Sequence, residues 1–365
     1  MGEDRQTGAT KYGALFDTLK SEILSGKYRS NSPFPSVRAL IGRFRMSDRT
    51  VRHALDELFA QGLISRKQGR GTFVTGRCIS RKIGLIVPGV AYSEFYPPFL
   101  SEMNRLAGEN DYTLLLGEVY SKDPRVRVKQ VQALVRKFAA EGVAGIVYQP
   151  IEFLSNSDRI NRELLADLSL CRIPVVLVAA DIVGSPGRSE YDIVGINDFE
   201  AGRRLALHLR EAGAKTVVFL SNAYSNYSVQ NRVSGVRSVF GGAKELREVL
   251  VDPADEKTVR DLFRGRSRPD AIVCRSDAVA SRLVVTLRKL GKGVPEDVLL
   301  AGFNDVSYAS MLELTSICVP SGDIAELAFH QLLARMANPE LKPRTLALPA
   351  PLTVRKSTVR KGRRG

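Results

Sequence analysis

The chain has 365 residues, 44% of them hydrophobic, which is enough for two or three packed cores and excludes a disordered or low-complexity protein. Its net charge of +15 is unevenly placed: residues 1–82 hold 16 Lys/Arg against 7 Asp/Glu, residues 355–365 hold 6 against none, and residues 83–354 hold 32 of each. A basic head on a neutral body implies that the head alone meets a polyanion, while the basic end VRKGRRG reads as a frayed, solubilising tail.

In chain order, Tyr12, Leu15, Phe16, Leu19 and Ile23 recur at helical spacing and predict a first helix ending near Gly26. SNSPFPS then breaks the chain with two prolines. Ser36 caps a second short helix, VRALIGRF, with Val37, Leu40, Ile41 and Phe44 inward. After a tight turn at RM, Ser47 caps a third helix that runs to about Gln61 and stops at Gly62. Two short helices joined this way make a helix-turn-helix. LISRKQGRGTFV reads as a hairpin with strands at Leu63–Lys67 and Thr72–Val74, its sharp tip relieved by Gly69 and Gly71. Residues 1–75 thus predict a small winged helix-turn-helix domain. The third helix of such a unit lies in the major groove. Arg49 and Arg52, three apart, share the face opposite Val51, Leu55 and Leu58, and an arginine can bond O6 and N7 of guanine together or grip a phosphate. The wing tip, with Arg70 and Gly71, lets the backbone pass close to a phosphate or a groove edge.

These residues resemble the GntR family of bacterial transcription regulators. The likeness covers about residues 11–75 and rests on KYGALFDTLKSEILSGKY, FPSVRAL, SDRTVRHALDELFAQGLI and GRGTFV in that order. It implies DNA contact by Arg38, Ser47, Arg49, Thr50 and Arg52, with Gln68 and Gly69 at the wing and Lys11 and Tyr12 near the backbone. Two positions depart from the family: Val37 stands where Glu is usual and Asp48 where Arg is usual. Asp48 either stabilises the helix start against the macrodipole or accepts from cytosine N4, and both readings stay open at this point.

Residues 76–81 read as a short linker, and from Lys82 the pattern changes. Apolar runs IGLIVPGV, YTLLLGEV, VAGIVYQP, IPVVLVAAD, DIVGIND, KTVVFLSN, PDAIVCRSD and DVLLAGFND alternate with amphipathic segments FLSEMNRLAGEND, VKQVQALVRKFAAEG, AGRRLALHLREAG and AVASRLVVTLRKLG. That alternation predicts an α/β fold with a doubly wound parallel sheet, here a two-lobed ligand-binding body over residues 82–358, followed by a basic tail at 359–365. Ligands of such sheets bind outside the carboxyl ends of the strands. The loop AYSEFYPPF follows the first strand and offers Tyr92, Phe95 and Tyr96 to the cleft, and QPIEF offers Glu152. RSEYD (Arg188, Tyr191, Asp192) reads as a surface link.

The body resembles the effector domains of the LacI/GalR family, which look like periplasmic sugar-binding proteins. VGINDFEAGRRLALHLREAG, NRVSGV, AIVCRSDAVA, GVPEDVLLAGFND and PAPLTVRKST carry the likeness over about residues 82–358. It implies cleft positions at Asp181, Arg232, Ser276, Asp277, Asn304 and Asp305, where a guanidinium fork and carboxylates suit vicinal hydroxyls. Ser276, Asn304 and Val319 depart from the family's usual Asn, Asp and Gln. GntR heads on LacI-type bodies form a known chimeric class that includes arabinose-responsive repressors, and no residue here fixes arabinose.

Other chemistry has no carrier in the sequence. Cys78, Cys171, Cys274 and Cys318 have no CxxC pairing, and three of them sit in or beside apolar runs and read as small core residues. His53, His208 and His330 are isolated, and HExxH, GxxxxGK(S/T) and GxSxG are absent, so no metal, no cofactor and no catalytic set is expected. The polar N-terminus and the lack of an apolar run of about 18 residues imply a cytoplasmic protein without membrane contact. The expectation is a homodimeric repressor that binds operator DNA and is released by a small effector, most simply a sugar. Two alternatives are a sugar- or nucleoside-modifying enzyme using Asp181, Asp277 and Asp305 as acids, and a sugar-transport binding protein.

Overall fold

In the computed structural model the described residues are 11–24, 27–28, 32–67, 69–75, 82–89, 94–119, 121, 123–152, 154–223, 225–242, 244–264 and 268–360, without the side chains of residues 11, 12, 21 and 124. The predicted linker 76–81, Gln68, Tyr92 and the side chains of Lys11 and Tyr12 lie outside them. The chain divides into two compact units, residues 1–82 with 142–144, and residues 83–141 with 145–365.

The first unit contains α1 (Lys11–Leu24), α2 (Val37–Phe44) and α3 (Asp48–Ala60). The Ser36 hydroxyl accepts from the Ala39 N–H and the Ser47 hydroxyl from the Thr50 N–H, both at 3.2 Å, so each helix starts where its cap satisfies an orphan donor. Leu15, Leu19, Ile23, Leu40, Val51, Leu55 and Leu58 close one core. β1 (Ile64–Lys67) and β2 (Gly71–Val74) pair antiparallel from Ile64 opposite Val74 to Lys67 opposite Gly71. Gly69 and Gly71 have φ of +72° and +97°, the left-handed backbone that the tight tip requires. The proline segment does more than break the chain. The Phe34 N–H donates to Thr72 O (2.8 Å) and the Val74 N–H to Ser32 O (3.0 Å), which lays 32–34 along β2; Pro33, lacking an N–H, sits where no donor is needed.

The second unit has two lobes. The first runs through β3 (Lys82–Pro88), α4 (Tyr96–Glu109), β4 (Thr113–Val119), α5 (Pro124–Ala140), β5 (Gly145–Tyr148), α6 (Ser157–Leu170), β6 (Val175–Val178) and β7 (Asp192–Ile196). The second holds α7 (Asp198–Glu211), β8 (Val217–Ser221), α8 (Tyr227–Val239), β9 (Leu246–Leu250), α9 (Glu256–Asp261), β10 (Ala271–Cys274), α10 (Asp277–Lys289), β11 (Leu299–Asn304), α11 (Ser307–Met311) and β12 (Thr315–Cys318). The chain then returns. α12 (Ser321–Ala337) packs Ile324, Ala328 and Phe329 into the core of the first lobe, and β13 (Thr345–Leu348) joins that lobe's sheet. β14 (Leu352–Thr353) crosses again to pair antiparallel with β12.

The sheet orders are β13-β7-β6-β5-β3-β4 and β14-β12-β11-β10-β8-β9. Pairing is parallel throughout β9-β8-β10-β11-β12 and β13-β7-β6-β5-β3, as the alternating pattern predicts. Both faces of the second sheet are covered. Phe219, Val273 and Ala301 enter one cluster and Val218, Ile272 and Leu300 the other, which is why these strands read as unbroken apolar runs. The four strands that periodicity did not reveal, β9 and β12 to β14, are short and mix polar with apolar residues; Thr315 and Ser316 are fully buried by hydrogen bonding instead. One core assignment is corrected: Cys274 is buried, but Cys171 is exposed at the end of α6. Among the described residues no helix is long and apolar enough to cross a membrane, and no cluster of His, Cys, Asp and Glu could hold a metal ion.

Candidate DNA-binding face and ligand cavity

Helix α3 turns Val51, Ala54, Leu55 and Leu58 into the head core, which leaves Arg49 and Arg52 on its open side. Arg38, Ser47, Asp48, Gly69, Arg70 and Gly71 are also exposed, and Thr50 is half-buried with its hydroxyl 2.8 Å from that of Ser47. Arg45, which the tight-turn reading passed over, is exposed with φ of 52° between α2 and α3. Among the described residues Arg38, Arg45, Arg49 and Arg70 form no ion pair, so their guanidinium groups are open to phosphates and base edges. Arg52 differs: its Nε donates to the Asp48 carboxylate at 2.6 Å, an i,i+4 pair that raises the proton affinity of the guanidinium. The acid at the helix start therefore orients Arg52. Behind this face Arg43 is bound at both nitrogens by Glu22, joining α2 to α1, and that hydrogen bonding lowers the Glu22 carboxyl to about 2.

In the body, α7 and α8 cross with almost no space between them. A Cβ on Gly202 would lie 2.2 Å from Arg232 O, and one on Gly235 would lie 2.0 Å from Phe199 O. AGRR and VSGV are thus the residues that let the two helix backbones touch. The crossing brings Arg232 of α8 to Asp198 at the start of α7, with Nε to Oδ1 at 2.7 Å and both side chains almost fully buried. Arg232 Nη1 also donates to Arg275 O (3.0 Å), and its guanidinium stacks on Phe303 at 4.6 Å. Burial raises Asp198 to about 6 against the opposing pull of Arg232.

This pair forms part of the wall of a cavity of about 570 Å³ between the lobes, outside the carboxyl ends of both sheets. Of the residues expected at the cleft, Phe95, Tyr96, Glu152, Arg232, Ser276 and Asn304 line it. The Tyr96 hydroxyl donates to Gln149 (2.8 Å), and Phe95 stands edge-on to Tyr96. Glu152 is raised above the ordinary carboxylate range because burial outweighs Arg275, Arg232 and Arg127. Glu94 accepts from the Ser307 hydroxyl (2.7 Å) and Asp158 from the Tyr227 hydroxyl (2.5 Å), two bridges between the lobes.

Three expected acids are elsewhere. Asp181 accepts from the Ile182 and Ser189 N–H groups and shapes its own loop. Asp305 is held by Arg355 (2.6 Å) and the Thr353 hydroxyl (2.8 Å). Asp277 is wholly buried, accepts from the Ser316 hydroxyl (2.8 Å) and the Val306 N–H (3.2 Å), and is raised by burial to about 7. Each carboxylate thus has protein donors in place of an open edge of the cavity. RSEYD is likewise no surface link at Asp192, which is buried and ion-paired with Arg335 at 2.8 Å.

Sequence reading missed Arg127, Gln149, Asp198, Asn222, Arg275 and Arg282 on the wall. Gln149, Asn222 and Arg275 follow strands, so the strand-end rule could have found them; Asp198 opens α7, and Arg127 and Arg282 lie on helix faces that only the tertiary packing turns inward.

The profile for bacterial regulatory proteins of the gntR family matches residues 11–74, and that of the periplasmic binding protein-like domain matches residues 206–358. The arabinose metabolism transcriptional repressor of Geobacillus stearothermophilus is 25% identical over 347 residues, 88% of this chain and 90% of that protein. A solved complex of the transcriptional regulator CelR with cellobiose shares the fold at a TM-score of 0.64 and 18% identity, over 86% of this chain and 91% of that one. A LacI family transcriptional regulator from Enterococcus faecalis V583 with bound ribose does so at 0.63 and 21%, over 76% and 98%. The chain thus joins a gntR-type winged helix at one end to a periplasmic-binding-protein-like domain at the other, the make-up of a chimeric GntR/LacI transcription regulator.

Proposed function

We propose that the protein binds a two-fold-symmetric operator as a homodimer, that a sugar-class ligand in the interlobe cavity sets operator affinity, and that ligand binding lowers it. The observation that carries the ligand site is the buried Arg232–Asp198 pair on the cavity wall, a donor and an acceptor side by side for adjacent hydroxyls. Arg49 and Arg52 of α3 are the base-reading and phosphate-gripping candidates, with Arg38 and the wing tip at Arg70 positioning the head. Glu94–Ser307 and Asp158–Tyr227 join the lobes, so a ligand that contacts both lobes favours the arrangement in which these bridges exist. The engagement of Asp181, Asp277 and Asp305 by protein donors supports a binding role over an acid-catalysed one.

The test begins with duplexes selected from a random pool by the full chain. Pentoses, hexoses, uronic acids, sugar phosphates and purines are then titrated against the complex. One sugar-class compound should weaken operator binding by roughly 5- to 150-fold, the span of ordinary coupling energies, and sedimentation should show two chains per operator. Turnover of a sugar, or an operator affinity that no sugar moves, would overturn the reading.

A further inference from the structure

The lining of the cavity carries a net positive charge. Four arginines line it, Arg127, Arg232, Arg275 and Arg282, against two carboxylates, Glu152 and Asp198. Asp198 pairs with Arg232 at 2.7 Å, so the lining as a whole keeps a positive charge. A hydroxyl needs acceptors as well as donors, and an arginine supplies donors alone. The acids that would have supplied acceptors, Asp181, Asp277 and Asp305, are bound to protein groups.

The excess sits on one wall. Arg275 follows β10 and Arg282 stands in α10, and both also line an adjoining hollow of about 310 Å³ with Asn222 and Asp252. The Asn222 amide, turned so that its oxygen faces Arg275, accepts from Nη2 at 2.9 Å. Arg282 is exposed to the cavity and donates from Nε to Ala278 O at 3.4 Å; among the described residues it forms no ion pair. Burial lowers the proton affinity of Arg275, with Arg282 and Arg232 acting in the same direction and Glu152 against them. The 13-residue helix α10 begins on the same wall: Ser276 and Ala278 line the cavity, and the Ser276 side chain makes no cap bond.

We propose that the effector is an anionic polyol, a sugar derivative whose phosphate or carboxylate sits between Arg275 and Arg282 while its hydroxyls reach Arg232–Asp198 and Gln149. This rests on the ligand-controlled reading above. An anion at that wall meets two guanidinium groups in the geometry arginine suits, which a neutral pentose or hexose does not offer.

Calorimetric titration of the full chain separates the possibilities. The probes are ribose and ribose 5-phosphate, glucose, gluconate and glucose 6-phosphate, galactose and galacturonate, and inorganic phosphate. An anionic probe should bind at least roughly tenfold more tightly than its neutral parent, and its affinity should fall several-fold as NaCl rises from about 0.05 to about 0.5 M. Arg282→Gln should erase that preference and Arg282→Lys should restore part of it; the exposed position keeps the folded state of both variants testable by melting. The phosphate and carboxylate arms identify the anion. A neutral parent that binds as tightly as its anion, a preference that survives Arg282→Gln, or inorganic phosphate alone binding as well as any sugar phosphate overturns the proposal. Failure of every sugar at about 10 mM, with a purine binding in their place, overturns the sugar reading itself.

Discussion

At the residue scale, Asp48 and Arg52 show how one pairing sorts two readings of an acid on the helix proposed to face DNA. The carboxylate accepts from Arg52 Nε at 2.6 Å, with both side chains more than half exposed, so its role in the free protein is to hold the arginine. Arg52→Ala should weaken operator binding roughly tenfold and make its salt dependence shallower. Asp48→Asn should free Arg52, raise affinity for non-operator DNA and steepen that dependence. Anisotropy titrations at several salt concentrations check both, and an unchanged slope in either variant would remove Arg52 from the interface. In the cavity, Arg232→Ala strands Asp198 without its partner, so lost ligand response should come with about 3–5 kcal/mol of lost body stability. Denaturant unfolding of the variant measures that loss.

Asp277 carries a pH prediction. Its folded-state affinity for a proton is raised from the ordinary 3.8 to about 7, so the folded body holds a proton that the unfolded chain has released. The stabilisation is complete below 3.8 and is lost as pH rises to about 7. At ~1.4 kcal/mol per tenfold change in proton affinity, a few kcal/mol is at stake. Denaturant unfolding of Asp277→Asn against the natural chain across that range should show the variant gaining relative stability with rising pH. A constant difference would mean that Asp277 stays ionised in the fold.

At the element scale, the α7–α8 crossing sets one wall of the cavity. Gly235→Ala places a methyl group against Phe199 O, so the helices must part or bend, at ~1–3 kcal/mol or more. Because Arg232 lies one turn earlier on α8, ligand affinity should fall with stability. Gly241→Ala, where a Cβ would meet only Arg237 O at 3.8 Å, should do neither, and paired unfolding and ligand titrations compare the two. The wing makes a related point. Its hairpin was legible from glycines and alternation, yet the strand-like pairing of 32–34 was hidden because a proline-containing segment has no periodicity of its own.

At the scale of the whole molecule, the chain passes between the lobes near residues 197, 319 and 350, and residues from both lobes line the cavity. A ligand that binds only the native body raises its unfolding temperature by linkage. An effector at about 100 times its dissociation constant should add about 2.7 kcal/mol to body stability. Heating monitored by scanning calorimetry checks this, and a lack of dependence on ligand concentration would place the ligand elsewhere.

Local rules were sufficient for the helix-turn-helix, its serine caps, the glycine tip and the run of buried parallel strands, because capping, turn chemistry and burial on both faces of a sheet leave marks within a few residues. The same rules placed Phe95, Tyr96, Glu152, Arg232, Ser276 and Asn304 near a cleft, since each follows a strand or carries a family motif. They could not tell an acid that faces ligand from one that holds the scaffold. Asp181, Asp277 and Asp305 were spent on donors supplied by the chain: on Ser189, eight residues along; on Ser316, 39 residues along; and on Arg355, 50 residues along. Nor could they show that Arg282 and Arg127, on the faces of two helices from opposite lobes, meet at one cavity. The sign of the charge offered to the ligand depends on which carboxylates the fold consumes, and only the tertiary structure decides that.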